Sequence, residues 1–387
     1  MAHKIKHLIS VINPLTTTYL SLGSNEGHSH QNLQLAVNAI FEQVGHVVAL
    51  SPIYKTKAWG FEGQDFLNAV IEVTTSLSAK KLLKSILNIE KSLGRERNAG
   101  ATGYEDRPID IDILFYGERV LDTEKLKVPH PLLQERLFVL KPLADLAPQR
   151  MHPVLGKTVS ELLEGLPDQT SVEAYKHPLE NPKERYDFSA LSYLVIEGNI
   201  GAGKTTLTQM IARDFNAKPI LERFKDNPFL PKFYKNQTRY AFPLEMSFLA
   251  DRYQQLLDDL GQYDLFKDFL IADYDSQKSL IFAQITLNSD EFSLYKKLHE
   301  MMYKDLAKPD RYVYLYQNTE RLLANIKKRG RSYEKDISQE YLTKINQGYL
   351  DAIRFLPKEK VKIIDISTLD FVKNRSDYLS ILNQILT

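Results

Sequence analysis

The sequence of 387 residues contains no cysteine. Disulfide frameworks, zinc sites built on thiolates and cysteine nucleophiles are therefore excluded. The absence of cysteine is compatible with a reducing cytoplasm, where we expect the protein to reside. No stretch approaches the roughly 20 consecutive apolar residues of a membrane-spanning helix. Residues 1–17 hold only a short apolar run and no small-residue cleavage site, so we expect a disordered leader rather than a signal peptide.

An excess of charge of one sign is also missing. Lys and Arg together number 50 and Asp and Glu 49, which gives a formal net charge of +1. This balance argues against a protein that mainly coats nucleic acid or an acidic membrane. We therefore expect small-molecule partners, bound by local clusters of charged residues.

The chain is long enough for two hydrophobic cores. Between Leu166 and Leu191 the apolar periodicity breaks, and three prolines fall among charged and polar residues. Such a composition is typical of an interdomain linker. We predict a first domain over residues 18–165, a linker over 166–191 and a second domain over 192–387.

The two predicted domains differ in their secondary-structure pattern. In the first, helical spacings over residues 33–44 are followed by the strand-like FLNAVIEVTT, a helix from Ala79 to Leu93 and the strand IDIDILFYG. Strands and helices without a regular repeat indicate an α+β sandwich. In the second, the apolar segments YLVIE, KDFLIADY, RYVYLYQ and VKIIDIS alternate with long helical stretches, which predicts an α/β domain with a parallel sheet.

Asp110 and Asp112 lie two residues apart in the segment IDIDILFYG. Because strand side chains alternate between faces, both carboxylates would share one face, about 7 Å apart. Such a pair is unfavourable unless a cation lies between the charges, and Mg²⁺ prefers oxygen ligands of this kind. The alternative is an exposed strand with charges that serve solubility, and the pair alone does not separate the two.

Basic residues flank this pair. They are Arg95, Arg97, Arg107, His130 and Arg136. Arginines together with a metal ion suit a polyphosphate site, although each arginine alone would be expected on a solvated surface. The segments GRERNAGATGYEDRPIDIDILFYG and VPHPLLQERLFVLKPLADLAP, preceded by SLGSNEG, YKTKAWG and FLNAV, resemble 6-hydroxymethyl-7,8-dihydropterin pyrophosphokinase over residues 18–163.

That resemblance implies a reaction and a set of ligands. The substrate hydroxymethyl oxygen would attack the β-phosphorus of ATP, and AMP would leave. Asp110 and Asp112 would bind two magnesium ions that bridge ATP, and the flanking basic residues would handle ATP or its phosphates. The first domain is accordingly predicted to be a ferredoxin-like α+β sandwich.

The same resemblance implies the pterin pocket. Its residues would be Thr56, Phe66, Asn68 and Phe138. Glu90 falls on a position near the ATP site. Tyr104 stands where tryptophan is often found, and Phe66 where a tyrosine is found. Both replacements keep a flat ring for stacking, so we expect an active domain.

A phosphate loop occurs in YLVIEGNIGAGKTTLTQMIA, where G-x-x-x-x-G-K-T lies between an apolar strand and a helix. Its glycines let backbone amides close on phosphates, and the helix N-terminus favours their charge. Lys204 would reach the transferred phosphate and Thr205 the magnesium ion. The predicted nucleotide-binding residues are Gly198, Asn199, Gly201, Gly203, Lys204, Thr205 and Thr206. The loop indicates nucleotide binding and leaves the reaction open.

Polar residues beyond the loop suggest the acceptor. Glu222 follows a short strand in PILERF, where a carboxylate could accept the proton of a hydroxyl. Glu245 and Arg252 lie seven residues apart in EMSFLADRYQQL, so they fall near one face of a helix. The basic segment NIKKRGRSYE suits closure over phosphates, or alternatively forms a solvated helix end.

Together these features resemble the deoxyribonucleoside kinase family over residues 192–356. The resemblance implies that Glu222 is the general base for the sugar 5′-hydroxyl and that Arg252 lies beside it. Tyr234 and Glu334 would bind the 3′-hydroxyl. The lid residues would be Lys328, Arg329 and Arg331, with Arg329 the best match for a phosphate clamp. Kinases of this type are often dimers, so a homodimer through this domain is expected.

The chain departs from that family at three places. Glu245 stands where a base-reading glutamine is usual, and Lys278 where a base-reading aspartate is usual. An acidic–Arg–Ser motif appears as Ala272, Asp273 and Tyr274, so its catalytic arginine is missing. Either Asp273 takes a different role, on magnesium, or the lid compensates. An ionised Glu245 suits the two donors of guanine and a protonated one suits adenine, so we expect a purine deoxynucleoside.

Two rival interpretations remain for the chain. The second domain could be a nucleoside monophosphate kinase, although such enzymes need an extra basic clamp for the acceptor phosphate. One domain could instead be a non-catalytic binding or assembly module. Intact Asp110, Asp112, Lys204 and Glu222 argue against the second rival.

Overall fold

The computed structural model describes residues 15–58, 63–95, 106–167, 172–223, 227–261, 266–335 and 337–387. Most of the predicted leader, and the predicted ATP-site residue Arg97 together with Tyr104, lie outside these residues. The chain divides into two compact units, with the boundary between Arg185 and Tyr186. Each unit is described by itself.

The first unit combines an antiparallel sheet with helices. Its strands are β1 (Thr16–Ser24), β2 (His46–Leu50), β3 (Tyr54–Thr56), β4 (Phe66–Thr75), β5 (Asp110–Tyr116), β6 (Leu121–Asp122), β7 (Lys127–Val128) and β8 (Glu173–Ala174). Its helices are α1 (Ser29–Gln43), α2 (Ala79–Ser92), α3 (Leu137–Leu146) and α4 (Val159–Glu164). Among the described residues, six strands form one sheet in the order β5-β1-β4-β3-β8, with β2 also paired to β4. The predicted α+β composition is confirmed, and the ferredoxin-like arrangement stays a prediction.

Side-chain alternation gives this sheet two different faces. On β5, Ile111 and Ile113 are each 5% exposed, whereas Asp110 and Asp112 on the opposite face are only half-buried. The apolar face is continued on β1 by Leu22, which is fully buried opposite Ile111. The hydrophobic effect therefore fixes the strand register, and a shift by one residue would bury both carboxylates.

The segment predicted as a linker, residues 166–191, differs from the prediction because much of it packs against the first unit. Within residues 172–185, β8 adds to the sheet edge beside β3. Gln34 on α1 exchanges two hydrogen bonds with the backbone of Glu180, at 2.9 and 2.8 Å, and Leu179 is only 7% exposed. A polar sequence with several prolines is typical of a linker. The sequence pattern did not predict this packing, because the packing partners are distant in sequence. We call residues 172–185 the strap.

Residues 186–191 belong to the second unit. Phe188 stacks on Phe269 with ring centroids 5.1 Å apart and also contacts Phe215 at 4.8 Å. Burial of three aromatic rings fixes the start of this unit, since each ring removes a large apolar area from water.

The second unit contains a parallel sheet with helices. Its strands are β9 (Tyr193–Gly198), β10 (Lys218–Ile220), β11 (Leu270–Ala272), β12 (Arg311–Tyr316) and β13 (Val361–Asp365). Its helices are α5 (Lys204–Asp214), α6 (Leu230–Lys235), α7 (Gln237–Gly261), α8 (Gln277–Thr286), α9 (Ser289–Tyr303), α10 (Thr319–Arg329), α11 (Gln339–Ile353) and α12 (Arg375–Leu386). All four strand pairs in the order β10-β11-β9-β12-β13 are parallel, which confirms the predicted α/β fold.

Parallel strands bring their carboxyl ends to one edge of the sheet. The phosphate loop follows β9, Glu222 follows β10 and Asp273 follows β11, so all three meet at that edge. Within the described ranges, no helix is both long and apolar enough to span a membrane.

The strap generates a prediction on local stability. In the intact protein we expect slow tryptic cleavage at Lys176, Lys183 and Arg185. Leu179→Ala should remove about 2 kcal/mol or more of buried apolar contact and so speed cleavage at these sites roughly tenfold or more. Limited proteolysis followed by mass spectrometry measures this.

Val48→Ala is the matched control, because Val48 on β2 is 41% exposed and its truncation should leave the cleavage rate unchanged. Equally fast cleavage of the strap in the parent protein and in Leu179→Ala would contradict the packing of Leu179.

Candidate active sites

The first site is an open cleft of about 540 Å³ on the polar face of the first sheet. A row of paired residues crosses β3, β4, β1 and β5 there, and Asn68, Gly23 and Asp110 are neighbours in it. Gly23 forms the floor, since a Cβ atom at this position would come within 3.2 Å of Asn68 Oδ1. The absence of a side chain keeps the cleft open.

One end of this cleft combines two aromatic rings with one amide and one hydroxyl group. Asn68 Nδ2 donates to Thr56 Oγ1 at 2.9 Å, and both residues are buried. Phe66 on β4 and Phe138 on α3 also line the cleft. The structure therefore brings together all four residues predicted for the pterin pocket. Thr56 fixes the orientation of Asn68, which leaves the carbonyl oxygen of the amide toward the cleft floor.

The other end holds the two predicted carboxylates and their cations. Arg107 NH1 donates to Asp110 Oδ2 at 2.8 Å, and Arg95 contacts Asp110 Oδ1. Among the described residues, the basic groups nearest to Asp112 are farther away. Arg136 NH1 and the ring nitrogen His130 Nε2 each lie 3.9 Å from Asp112 Oδ2. Asp112 is thus less well neutralised than Asp110.

The electrostatics at Asp112 follow from this arrangement. Burial and the neighbouring Asp110 charge raise the pKa of Asp112 to about 7, and Arg136 only partly opposes them. Burial, and next the positive charge of Arg136, lower the pKa of His130 to about 4, so this ring is neutral. A carboxylate pair with an unbalanced negative charge is a suitable donor set for a hard divalent cation.

Glu90 connects α2 to this carboxylate end of the site. Its Oε1 atom accepts a hydrogen bond from the backbone N–H of Ile111 at 2.9 Å and contacts Arg95. Ile111 lies between the two aspartates, so Glu90 holds the strand in place at the point where its carboxylates face the cleft. Glu90 also orients Arg95.

The second site is a pocket of about 800 Å³ at the carboxyl edge of the parallel sheet. Lys204 Nζ donates to the carbonyls of Gly198 at 2.7 Å and Asn199 at 3.0 Å, which places the ammonium group inside the phosphate loop. Gly201 and Gly203 both have φ of +86°, a conformation that other residues rarely adopt. Thr206 lies in the first turn of α5.

Thr205 and Asp273 meet below this loop. Thr205 Oγ1 donates to Asp273 Oδ2, and Asp273 Oδ1 accepts from the backbone N–H of Glu222 at 2.7 Å. Asp273 therefore ties the phosphate loop to the segment that carries the predicted general base. This position is the one where the resemblance led us to expect an arginine.

Glu222 is held by two cations. Arg252 NH2 lies 2.7 Å from Glu222 Oε1, and Lys278 Nζ lies 2.6 Å from Glu222 Oε2. Burial acts to raise the pKa of Glu222, but Lys278 and Arg252 outweigh it and hold this pKa well below its usual range. Lys278, whose function the sequence left open, is buried and belongs to the site. The resemblance places Lys278 at a position that usually reads the base, and this did not indicate its contact with Glu222.

Glu245 lies on the same helix as Arg252, as the spacing predicted. Its Oε1 atom accepts from Thr286 Oγ1 at 3.1 Å. Its Oε2 atom is buried and has no hydrogen-bond partner among the residues that the structure describes. Burial raises the pKa of Glu245 to about 7, while Arg252 acts to lower it.

The predicted lid and sugar residues are also adjacent. Glu334 is buried and is paired with Arg329 NH2 at 2.6 Å and Arg331 NH1 at 3.1 Å. Burial, followed by the charge of Glu334, raises the pKa of Tyr234, and both side chains line the pocket. Both lid arginines therefore contact a carboxylate that the sequence assigned to the sugar. Lys328 lies on α10 beside them.

Comparison with known proteins gives two separate matches. Residues 19–148 match the family described as 7,8-dihydro-6-hydroxymethylpterin-pyrophosphokinase, and residues 194–387 match the family described as deoxynucleoside kinase. A deoxyguanosine kinase of Bacillus subtilis is 40% identical over 190 residues, which cover 48% of this chain and 92% of that protein.

The first unit is similar to a different group of enzymes from the second. A 2-amino-4-hydroxy-6-hydroxymethyldihydropteridine pyrophosphokinase of Aquifex aeolicus is 40% identical over 148 residues, covering 38% of this chain and 90% of that protein. A solved deoxyadenosine kinase from M. mycoides with bound dATP is 23% identical, covers 50% of this chain and 100% of that chain, and has a TM-score of 0.44.

The second match spans half of the chain, and both relatives are covered over nine-tenths of their length. The chain therefore belongs to the 7,8-dihydro-6-hydroxymethylpterin-pyrophosphokinase family through its first unit and to the deoxynucleoside kinase family through its second, and it is a bifunctional kinase.

Proposed function

We propose that the first unit transfers a diphosphate group from ATP to 6-hydroxymethyl-7,8-dihydropterin. The hydroxymethyl oxygen forms a bond to the β-phosphorus, the bond between that phosphorus and the α-phosphate oxygen breaks, and AMP leaves. The observation that supports this most is the single row of residues across the sheet. It joins the amide of Asn68 to the carboxylate of Asp110 through the open floor at Gly23. Acceptor and phosphate would thus lie side by side.

The residues of the cleft divide the work. Phe66 and Phe138 offer flat surfaces for the bicyclic ring, and Thr56 and Asn68 supply polar groups for its edge. Arg95, Arg107 and Arg136 place positive charge where the polyphosphate charge develops. We assign His130 a hydrogen-bonding role as a neutral ring, because its pKa is lowered. Arg97 stays predicted for ATP.

Magnesium fits both sites by the chemistry of the donor groups. Asp110 and Asp112 would hold it in the first unit, where their crowded negative charge needs a cation. Thr205, with Asp273 beside it, would hold it in the second. When bound, the ion neutralises phosphate charge and orients the nucleotide.

We propose that the second unit transfers the γ-phosphoryl group of ATP to the 5′-hydroxyl of a deoxyribonucleoside. Glu222 accepts the hydroxyl proton, the oxygen forms a bond to the γ-phosphorus, and ADP leaves. The observation that supports this most is that Glu222 and the phosphate-loop Lys204 line one pocket. Tyr234 and Glu334, which were predicted to bind the sugar, line the same pocket. Phosphoryl transfer depends on positioning and charge more than on a strong base, so the low pKa of Glu222 is acceptable.

Lys278 gives this site the cation that the expected arginine would have supplied. In the structure it neutralises Glu222. Burial, and next the charge of Lys278, lower the pKa of Lys204 to about 8. Two ammonium groups in one buried pocket repel one another unless an anion lies between them. We propose that Lys278 turns from Glu222 to the transferred phosphate when ATP binds, which frees Glu222 to accept the proton.

A nucleoside monophosphate kinase fits the pocket less well. An acceptor phosphate would need free cations at the sugar end, but the two lid arginines described there are paired with Glu334. A neutral sugar hydroxyl is the better acceptor for such surroundings.

We propose a purine deoxynucleoside as the acceptor. The Oε2 atom of Glu245 is a buried group that a base edge would satisfy, and guanine presents two adjacent donors to a carboxylate. A relative of the second unit named deoxyguanosine kinase supports this choice. Deoxyadenosine and deoxyguanosine are ranked above deoxycytidine and thymidine.

A homodimer through the second unit stays a proposal. Leu294 and Met301 lie two helical turns apart on α9 and are 51% and 76% exposed, and Leu257 on α7 is 45% exposed. These two helices pack on each other, and exposed apolar side chains favour association. Sedimentation analysis of the full chain tests this.

Asp112→Ala should abolish AMP formation and leave ADP formation intact. Loss of a metal ligand is expected to remove several kcal/mol of transition-state stabilisation, a fall of about a thousandfold or more. The assay incubates the full chain with ATP, Mg²⁺ and both acceptors and separates AMP from ADP.

Lys204→Ala is the reciprocal variant and should stop ADP formation while AMP formation continues. Near-normal AMP output from Asp112→Ala would contradict the metal assignment. Loss of both activities in either variant would contradict two separate sites.

Lys278→Met should lower kcat for nucleoside phosphorylation by about a hundredfold to a thousandfold, with little change in the KM of the deoxynucleoside. The reason is that the phosphate loses a cation that acts in the transition state. Lys296→Met is the matched control, since Lys296 is an exposed lysine of α9 whose ion-pair partner among the described residues is Glu300. A raised KM with unchanged kcat would show that Lys278 merely neutralises Glu222.

Competition among the four deoxynucleosides should rank the two purines first in the parent protein. Glu245→Gln should lose roughly tenfold or more of the kcat/KM for deoxyguanosine, because an amide offers one donor to a base edge that has two donors. A clear preference of the parent for thymidine or deoxycytidine would sink the purine proposal, and an unchanged ranking in the variant would exclude Glu245 as the base reader.

A further inference from the structure

Glu245 is an unusual group for the wall of a binding pocket. Its side chain is 2% exposed, yet one carboxylate oxygen has no partner among the described residues that surround it. The other oxygen accepts a hydrogen bond from Thr286. A buried polar atom without a partner costs free energy, so a ligand that supplies a partner gains that amount on binding.

The separation between Glu245 and the reacting end of the pocket suits the length of a single nucleoside molecule. Arg252, which binds Glu222, follows Glu245 by seven residues on α7 and therefore lies about 10 Å along the helix axis. Phe233, Phe248 and Phe282 line the pocket that also contains both glutamates. A sugar hydroxyl at Glu222 would thus place the base between aromatic rings and its hydrogen-bonding edge at Glu245.

The two protonation states of Glu245 present different hydrogen-bonding groups to that edge. The carboxylate has only acceptors, which match the N1–H and N2–H donors of guanine. The carboxylic acid has one donor and one acceptor, which match N1 and the N6 amino group of adenine. Each state repels the other base, because the carboxylate faces the lone pair of adenine N1 and the acid hydrogen faces guanine N1–H.

Several charged and titratable groups face Glu245 from its neighbours. Arg252 on its own helix and Lys278 on α8 favour the ionised form, whereas Glu222 and burial favour the protonated form. Tyr295 on α9 and Tyr341 on α11 also lie near it, and both stay neutral because burial raises their pKa values. The opposing influences leave the pKa of Glu245 at about 7, so both states are populated near neutral pH.

We propose that Glu245 selects the nucleobase according to its protonation state: the ionised carboxylate admits deoxyguanosine, and the protonated acid admits deoxyadenosine. This inference rests on the proposed deoxynucleoside kinase activity and deepens it. One pocket would then serve both purines, with the preference set by pH.

The sign of the pH dependence follows directly. Raising the pH increases the ionised fraction, so the ratio of kcat/KM for deoxyguanosine to that for deoxyadenosine must rise. If selection is complete, this ratio equals a constant times the ratio of ionised to protonated enzyme and rises about tenfold per pH unit. Other titrating groups, including Glu222 and Lys204, affect both substrates in one mixture alike and cancel in the ratio.

The experiment supplies the full chain with ATP, Mg²⁺ and equal concentrations of the two purine deoxynucleosides, from about pH 6 to about pH 8, a range that brackets the pKa of Glu245. Initial rates of dGMP and dAMP formation give the ratio at each pH. The parent is expected to show a rising ratio. Glu245→Gln should show a ratio that does not change with pH, because an amide does not titrate.

Thr286→Val is a second, independent variant. The Thr286 hydrogen bond lowers the pKa of Glu245, so its removal should move the whole curve to higher pH while the slope is kept. A flat ratio in the parent, a retained slope in Glu245→Gln or an unshifted curve in Thr286→Val would each overturn the proposal. Absence of phosphorylation of every deoxynucleoside by the parent would instead contradict the proposed activity.

Discussion

A carboxylate that is removed from water requires a positive charge or hydrogen-bond donors nearby, and this constraint organises both sites. In the first unit, Asp110 is balanced by Arg95 and Arg107, whereas the nearest described cation to Asp112 is Arg136, at 3.9 Å. In the second unit, Glu222 is balanced by two close cations. The charge that stays unbalanced at each site indicates the sign of the ligand charge that the site can bind. It is a positive charge beside Asp112 and a negative charge beside the two cations at Glu222.

The two folds meet the constraint by different geometric means. In the antiparallel sheet, strand alternation puts both aspartates on one face, and burial of Ile111 and Ile113 on the other prevents them from turning away. In the parallel sheet, the carboxyl ends of neighbouring strands converge, so Glu222 and Asp273 come together although 51 residues separate them. Hydrophobic burial thus positions the charges in both units.

The sequence was most informative where function depends on local spacing. The β5 alternation, the phosphate loop and the face shared by Glu245 and Arg252 all follow from neighbours within about seven residues. Contacts between distant segments could not be derived in this way. The strap uses partners more than 100 residues away, and Lys278 reaches a glutamate 56 residues before it. Periodicity predicts which face a residue occupies but not which side chain it meets there.

Two of the glutamates that line the second pocket, Glu222 and Glu245, have pKa values shifted in opposite directions, and the reason lies in how close each one is to the cations. Arg252 and Lys278 both contact Glu222 directly, so its pKa falls even though it is buried. Glu245 receives only the more distant influence of the same two cations and one hydroxyl donor, so burial prevails and its pKa rises. Pairs of carboxylates whose pKa values are pushed apart mark different chemical roles. Glu222, which is ionised before the reaction, is available to accept a proton from the sugar, and Glu245, whose pKa lies near neutrality, suits recognition of a base edge.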